Sequence, residues 1–284
     1  MQTVAVTGGS GKLGRAVVDE LVEHGYRVIN LDLAPPRHDR AAFTRVDLTD
    51  YGQTVEALTA IDDRHGGVDA VVHLAAIPGP GMATNATTFH TNVAISYNVF
   101  ASARAAGIRN VVWASSETLL GLPLDTPPQS IPIHEGHQPR PETSYALAKL
   151  VDETIAAQFC RWDPELKMIG LRFSNVMEPG DYARFPSFEQ DPMLRKWNLW
   201  GYIDARDGAQ AVRRALAYEG KGLEIFIIAN ADTVMSRDSR QLAAQVFADV
   251  EITAEVTGTQ TLLAIDKARR LLGYEPQHSW REQS

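Results

Sequence analysis

The chain has 284 residues, 27 of them basic and 35 acidic, for a formal net charge of −8, and 44% are hydrophobic. No basic stripe marks it as a nucleic-acid partner, and no stretch approaches the ~20 apolar residues of a membrane-spanning helix. A single cysteine, Cys160, excludes an internal disulfide and suits a reducing compartment. With no charged leader and apolar signal core ahead of the first strand, the expected location is the cytoplasm.

The first run, Gln2–Val6, is β-branched and reads as a strand. Thr7-Gly8-Gly9-Ser10-Gly11-Lys12-Leu13-Gly14 follows, and Arg15–His24 then reads as a helix. Strand, glycine-rich turn and helix in this order form a pyrophosphate cradle. The glycines let the backbone come close, and the helix start supplies free N–H groups and a positive dipole end. The second predicted strand, Arg27–Leu31, ends in Asp32. A carboxylate there takes both hydroxyls of an adenosine ribose and repels a 2′-phosphate, which favours NAD over NADP. Arg37 and Arg40 in the next loop keep NADP open as the lesser alternative.

A third strand is predicted over Phe43–Val46, closed by Asp47-Leu48-Thr49-Asp50. Asp47 stands where it contacts an adenine or caps a helix over 51–60. Val68–Ala75 is apolar on both faces, as a buried parallel strand is, and runs into Leu74-Ala75-Ala76, small residues suited to line a cofactor. His73 within it reads as a hydrogen-bonded core histidine. Loop 77–83 borders the pocket. The long helix Thr84–Ala106 carries Asn92, read as a brace acting through the backbone. A fifth strand, Asn110–Ala114, sets Ser115-Ser116-Glu117-Thr118 at its carboxyl end, where open parallel sheets bind ligands.

After a proline-rich loop the helix Tyr145–Phe159 begins, capped by Thr143 or Ser144. Tyr145 and Lys149 share one helix face. A phenol titrates near ~10, and a lysine cation beside it favours the phenolate, giving a group that exchanges a proton with a substrate hydroxyl. Cys160 reads as core. Lys167–Phe173 is the sixth strand and leads to Ser174 and Asn175. From there to Tyr202 regularity falls and Arg184, Arg195 and Lys196 appear, as in a substrate-facing lobe. A helix (Asp207–Tyr218), a strand (Leu223–Ala229) and two helices (Asp238–Phe247, Asp266–Leu272) complete the pattern. The pairs Arg213-Arg214 and Arg269-Arg270 read as solvated helix faces. The expected architecture is α/β: a doubly wound parallel sheet with a small C-terminal substrate lobe. Residues 1–174 bind the dinucleotide, and residues 175–284 are mainly lobe with some elements returning to the core.

Taken together, these motifs resemble the extended short-chain dehydrogenase/reductase superfamily, of the NAD-dependent epimerase/dehydratase type. The resemblance rests on the Thr7–Gly14 turn, Asp32, Asp47-Leu48, Leu74-Ala75-Ala76, Asn92, Ser115-Ser116, Tyr145 with Lys149, Leu171–Val176, Tyr202–Asp207 and Lys267–Pro276. It implies a Rossmann sheet and an NAD site drawn from Gly8, Gly11, Lys12, Leu13, Gly14, Asp32, Asp47, Leu48, Leu74, Ala75, Ala76, Asn92, Tyr145 and Lys149. It also implies catalysis by Ser116, Tyr145 and Lys149, with no metal, and a homodimer built on the 84–106 and 143–161 helices. Ser116-Glu117-Thr118 lacks the second acid of the dehydratases' Thr-Asp-Glu triplet, which argues against elimination of water. Only 29 positions separate Asn175 from Asp204, little chain for gripping a nucleoside diphosphate.

The compact subgroup the chain most resembles is uronate dehydrogenase, which oxidises the anomeric hydroxyl of a uronic acid. That likeness makes Arg195 a carboxylate ligand and Ser116, Glu117, Tyr145 and Asn175 substrate contacts. Glu117-Thr118 replaces the subgroup's Asn-His pair, Pro78 stands for a substrate-contacting serine, and the segment Phe185–Met193 is added. The expected function is NAD-dependent oxidation of a hydroxyl on a small sugar or sugar acid. The alternatives are a sugar epimerase holding NAD tightly and a non-catalytic dinucleotide sensor.

Overall fold

The computed structural model describes residues 1–59 and 67–283. Among them the strands are β1 (Thr3–Thr7), β2 (Arg27–Asp32), β3 (Ala42–Arg45), β4 (Ala70–His73), β5 (Asn110–Ser116), β6 (Ser130–Ile131), β7 (Lys167–Phe173), β8 (Val176–Met177), β9 (Ile203–Asp204), β10 (Gly222–Ile228) and β11 (Glu251–Ile252). The helices are α1 (Lys12–Glu23), α2 (Tyr51–Thr59), α3 (Asn85–Ala105), α4 (Ser144–Trp162), α5 (Ala205–Ala217), α6 (Ser239–Val246) and α7 (Asp266–Leu272). None of these helices is long and apolar enough to cross a membrane.

Seven strands make one parallel sheet in the order β10-β7-β5-β4-β1-β2-β3. The order reverses between β1 and β4, and the carboxyl ends there form the crevice where such sheets take ligands. Strand alternation sends Val4 and Val6 into the core layer shared with α1 and α5, and Ala5 into the layer shared with α2, α3 and α4. Every residue of β7 is buried, as a central parallel strand covered on both faces requires. Each fully buried large side chain contributes roughly 1.5–3 kcal/mol, so this double layer carries most of the fold. Strand β10 and helix α5, from the C-terminal part of the chain, belong to this sheet and its cover.

Several element ends differ from the sequence-based expectation. Helix α1 starts at Lys12 rather than Arg15, because Gly11 is its N-cap. Helix α5 starts at Ala205, because the Asp204 carboxylate accepts the Arg206 N–H and caps it. Strand β4 is shorter than expected: past His73 the chain turns, with the Leu74 N–H bonding back to the Thr7 carbonyl. Asp50, not Asp47, caps α2, accepting the Gln53 N–H, and the expected last position of that helix, residue 60, lies outside the described residues. Arg213 was expected on a solvated face. It instead pairs with Glu20 at 2.6 Å and ties α5 to α1.

The irregular stretch after Asn175 folds around two 3-10 runs, Pro179–Phe188 and Pro192–Asn198. The short parallel pair of β8 with β9 anchors it to the body, and a second such pair joins β6 to β11. An aromatic cluster fills it: Phe185 is fully buried between Tyr182, Phe188, Tyr202 and Trp280. The chain leaves the second run through Leu199 and Trp200, both fully buried with φ of 53° and 57°. Non-glycine residues held in the left-handed region cost of order 1–3 kcal/mol each, so packing is what keeps this turn in place.

Candidate active site

A cavity of about 1170 Å³ lies across the carboxyl ends of the strands. On the β1–β2 side its wall is the glycine turn. Gly8 adopts φ of +71°, and a Cβ there would meet the Ala75 nitrogen at 2.6 Å. A Cβ on Gly14 would sit 2.1 Å from the Gly8 carbonyl oxygen. The turn is therefore closed to any side chain at these positions. No side chain caps the start of α1, so its first N–H groups are left for an anion. The Asp32 carboxylate holds the turn from below, accepting the Ser10 and Ala34 N–H groups at 3.0 and 3.1 Å. Gly8, Gly11, Lys12, Leu13, Gly14, Asp32, Asp47 and Leu48 line the cavity, as do Leu74, Ala75 and Ala76. This cradle fits a dinucleotide: a close-approach turn, an uncapped helix start, and a carboxylate at the end of the second strand.

Across the sheet, Ser116, Glu117, Tyr145, Lys149 and Asn175 line the same cavity. Thr143 caps α4, its hydroxyl accepting the Ala146 N–H, which fixes the first turn that carries Tyr145. The Lys149 ammonium sits 5.9 Å from the Tyr145 ring centre and donates to the Ala114 carbonyl at 2.7 Å. The two serines at the end of β5 diverge, as neighbours on a strand must. Ser115 donates inward to Glu153, which also takes a two-point bond from Arg172. The Ser116 oxygen accepts from the Thr118 N–H and hydroxyl, so its own hydrogen remains to give.

Glu117 is nearly fully buried. Its Oε1 accepts from Asn198 at 3.2 Å, and the Ser174 hydroxyl and the Asn175 N–H also face the carboxyl. Burial pushes its carboxyl up to about 7, against the opposing pull of Ser174, Asn198 and the Arg195 charge. Ser174 also lines the cavity, a residue that sequence reasoning passed over. Its signal was its place at the end of β7, next to Asn175.

Two expected site residues stand behind the wall. Asn92 grips Ile77 from both sides, accepting its N–H at 2.8 Å and donating to its carbonyl at 3.1 Å, and so fixes the loop bordering the cavity. Arg195, expected as a carboxylate ligand, is buried and outside the cavity lining. Its guanidinium stacks on Trp197 and Phe188 and donates to the Gly201 carbonyl at 2.8 Å and to Asn175 at 3.3 Å. The Leu199–Trp200 turn brings that carbonyl back onto it, and its charge favours the Glu117 anion from behind. Burial lowers its pKa to about 10.

His73 is buried, with Nδ1 2.7 Å from the Thr7 hydroxyl and Nε2 3.3 Å from that of Ser96, and burial pushes it down to about 3. Burial raises the Cys160 thiol to about 11, away from nucleophile chemistry. Among the described residues no group of three or more His, Cys, Asp or Glu is placed to hold a metal.

A model of the NAD dependent epimerase/dehydratase family matches residues 4–229. The UDP-glucose 4-epimerase 2 of Oryza sativa subsp. japonica is 30% identical over 223 residues. That match covers 72% of this chain but only 51% of the epimerase, so the chain spans about half the length of that relative. The L-arabinose 1-dehydrogenase (NAD(P)(+)) of Haloferax volcanii is 27% identical over 226 residues, 76% of this chain and 83% of that protein. Among solved structures, a mutated uronate dehydrogenase shares the fold, with a TM-score of 0.70 over 99% of this chain and 85% of that one at 20% identity. The chain belongs to the NAD-dependent epimerase/dehydratase family, within the extended short-chain dehydrogenase/reductases.

Proposed function

We propose that the protein oxidises a hydroxyl of a small, uncharged sugar-like substrate with NAD. The observation that carries this reading is the convergence of Ser116, Tyr145 and Lys149 on one wall of the cavity, with the buried Glu117 carboxyl beside them. The glycine turn, the start of α1 and Asp32 would hold the dinucleotide, and NAD when bound supplies the hydride acceptor. Ser116 donates its free hydrogen to the reacting oxygen and orients it. Tyr145 as phenolate removes the hydroxyl proton, and the Lys149 cation stabilises that phenolate. Positioning of the hydroxyl between two fixed groups supplies much of the rate.

Glu117 favours neutral substrates. Once ionised, it repels a carboxylate on the substrate. Arg195, outside the cavity lining, is turned to Gly201 and Asn175. NADH accumulating on mixing the protein and NAD with neutral aldoses, and not with uronic acids, is the expected result. Accumulation with uronic acids alone would contradict the reading.

A second reading is a sugar epimerase, favoured by the likeness to the rice epimerase over 72% of this chain. It predicts that NAD copurifies with the protein and that sugar is consumed with no net NADH.

A further inference from the structure

Behind the acid–base pair lies a group that the proposed chemistry does not use. Asp152, one helical turn after Lys149 on α4, is fully buried, with its Oδ2 3.6 Å from the Lys149 ammonium. The groups that face it are the Lys149 ammonium and the Ser96 hydroxyl of α3. A buried carboxylate loses several kcal/mol of hydration, and an aliphatic side chain would pack there at less cost. Lys149 already has the Ala114 carbonyl as an acceptor, so Asp152 is not needed to satisfy it. What the carboxylate adds is charge.

The other groups around it do not supply that charge. On its own helix Glu153 is neutralised by Arg172 of β7 and bonded by Ser115 of β5. From β4, His73 is kept neutral by burial and the Lys149 charge. Burial raises the Asp152 carboxyl to about 6, against the pull of the Lys149 charge and of the Ser96 hydroxyl that faces it from α3. The hydrogens along this path are ordered. Thr7 Oγ1 accepts from the Leu74 and Ala75 N–H groups, so its hydrogen goes to His73 Nδ1. The Nε2–H of His73 then goes to Ser96, whose own hydrogen is left for Asp152. One buried polar chain thus runs from the cradle at Leu74–Ala75 to the counter-charge of Lys149.

We propose that Asp152 is a positioning residue for the acid–base pair: it balances the Lys149 ammonium from behind and so limits how far that charge acidifies Tyr145. The proposal rests on the reading of Tyr145 as the acid–base group. It sets the pH at which the phenolate forms, and it makes Lys149 a tuned cation rather than a bare one. Removing the Asp152 charge leaves the Lys149 field unopposed at the phenolate and so pushes the Tyr145 titration downward.

The test is the near-ultraviolet phenolate absorbance of the full chain across pH, needing no substrate. The Tyr145 titration is isolated by subtracting Tyr145→Phe from wild type, and Asp152→Asn/Tyr145→Phe from Asp152→Asn. A fall of roughly one pH unit in Asp152→Asn is expected. An unchanged or higher midpoint would overturn the proposal. Should Asp152→Asn fail to fold, wild-type protein carrying carbon-13 at its aspartate carboxyls and tyrosine ζ-carbons gives the answer. The Tyr145 signal must then step with the Asp152 titration, and a flat Tyr145 signal would overturn the proposal. Loss of the dehydrogenase reading would show separately, as turnover surviving in Tyr145→Phe.

Discussion

Glu117 is the residue on which substrate choice and pH response turn together. Its folded value near 7 lies above the ordinary 4.5, so the fold binds its proton more tightly than the unfolded chain does. The stability this contributes is complete below about 4.5 and is lost as pH climbs through about 7, a change of roughly 3 kcal/mol. Thermal unfolding of Glu117→Gln is therefore expected to show a flatter pH profile than wild type between pH 5 and pH 8 (roughly the span of that titration). Parallel profiles would mean that Glu117 does not titrate there. The same titration predicts that discrimination against acidic sugars grows as the carboxyl ionises. In Glu117→Gln the preference for neutral over uronic substrates, read as a kcat/KM ratio, is expected to fall by about tenfold or more, ~1.4 kcal/mol. At this scale the sequence told half the story. The identities of Ser116, Glu117, Tyr145 and Lys149, and their common place at strand and helix ends, were legible from spacing. The fate of Arg195 was not, because it depends on a left-handed Leu199–Trp200 turn that brings a carbonyl from six residues away onto its guanidinium. No local pattern announces such a turn in non-glycine residues.

Among the elements, the strand–turn–helix at the N-terminus carries the cofactor claim. Gly14→Ala puts a methyl group 2.1 Å from the Gly8 carbonyl oxygen, with only backbone around it to yield. Calorimetry is expected to show NAD affinity reduced by at least an order of magnitude, ~1.4 kcal/mol, with the fold retained by circular dichroism. Undiminished affinity would remove the turn from the cofactor site. The long periodic elements were readable because each buries a continuous stripe against one sheet. The short β6–β11 and β8–β9 pairs and the two 3-10 runs were not, since two-residue strands and proline-broken turns have no periodicity to detect. Their order comes from tertiary contacts instead, such as Lys12 with Asp181 and Arg15 with Glu178 between the cradle and the lobe.

For the whole molecule, the outer faces of α3 and α4 leave an apolar patch. Leu147, Tyr97 and Trp162 are each more than 40% exposed. Leu147, Val151, Ile155 and Trp162 recur at helical spacing along α4. We propose that a second copy covers this patch through a two-fold helix bundle. Sedimentation velocity is expected to give a dimer for wild type and a monomer for Leu147→Glu/Trp162→Glu. A wild-type monomer would contradict this. The doubly wound architecture was legible from the alternation of strands and helices. How its C-terminal half divides between sheet and lobe emerges only from the pairing of β10 with β7.

The central claim is that Tyr145 exchanges the substrate proton in an NAD-linked oxidation. The most direct measurement is the rate of NADH formation by wild type and Tyr145→Phe on the neutral sugar that wild type turns over best. The account predicts a loss of ~10²–10⁴-fold in kcat with NAD affinity unchanged. Turnover of Tyr145→Phe near that of wild type would contradict it.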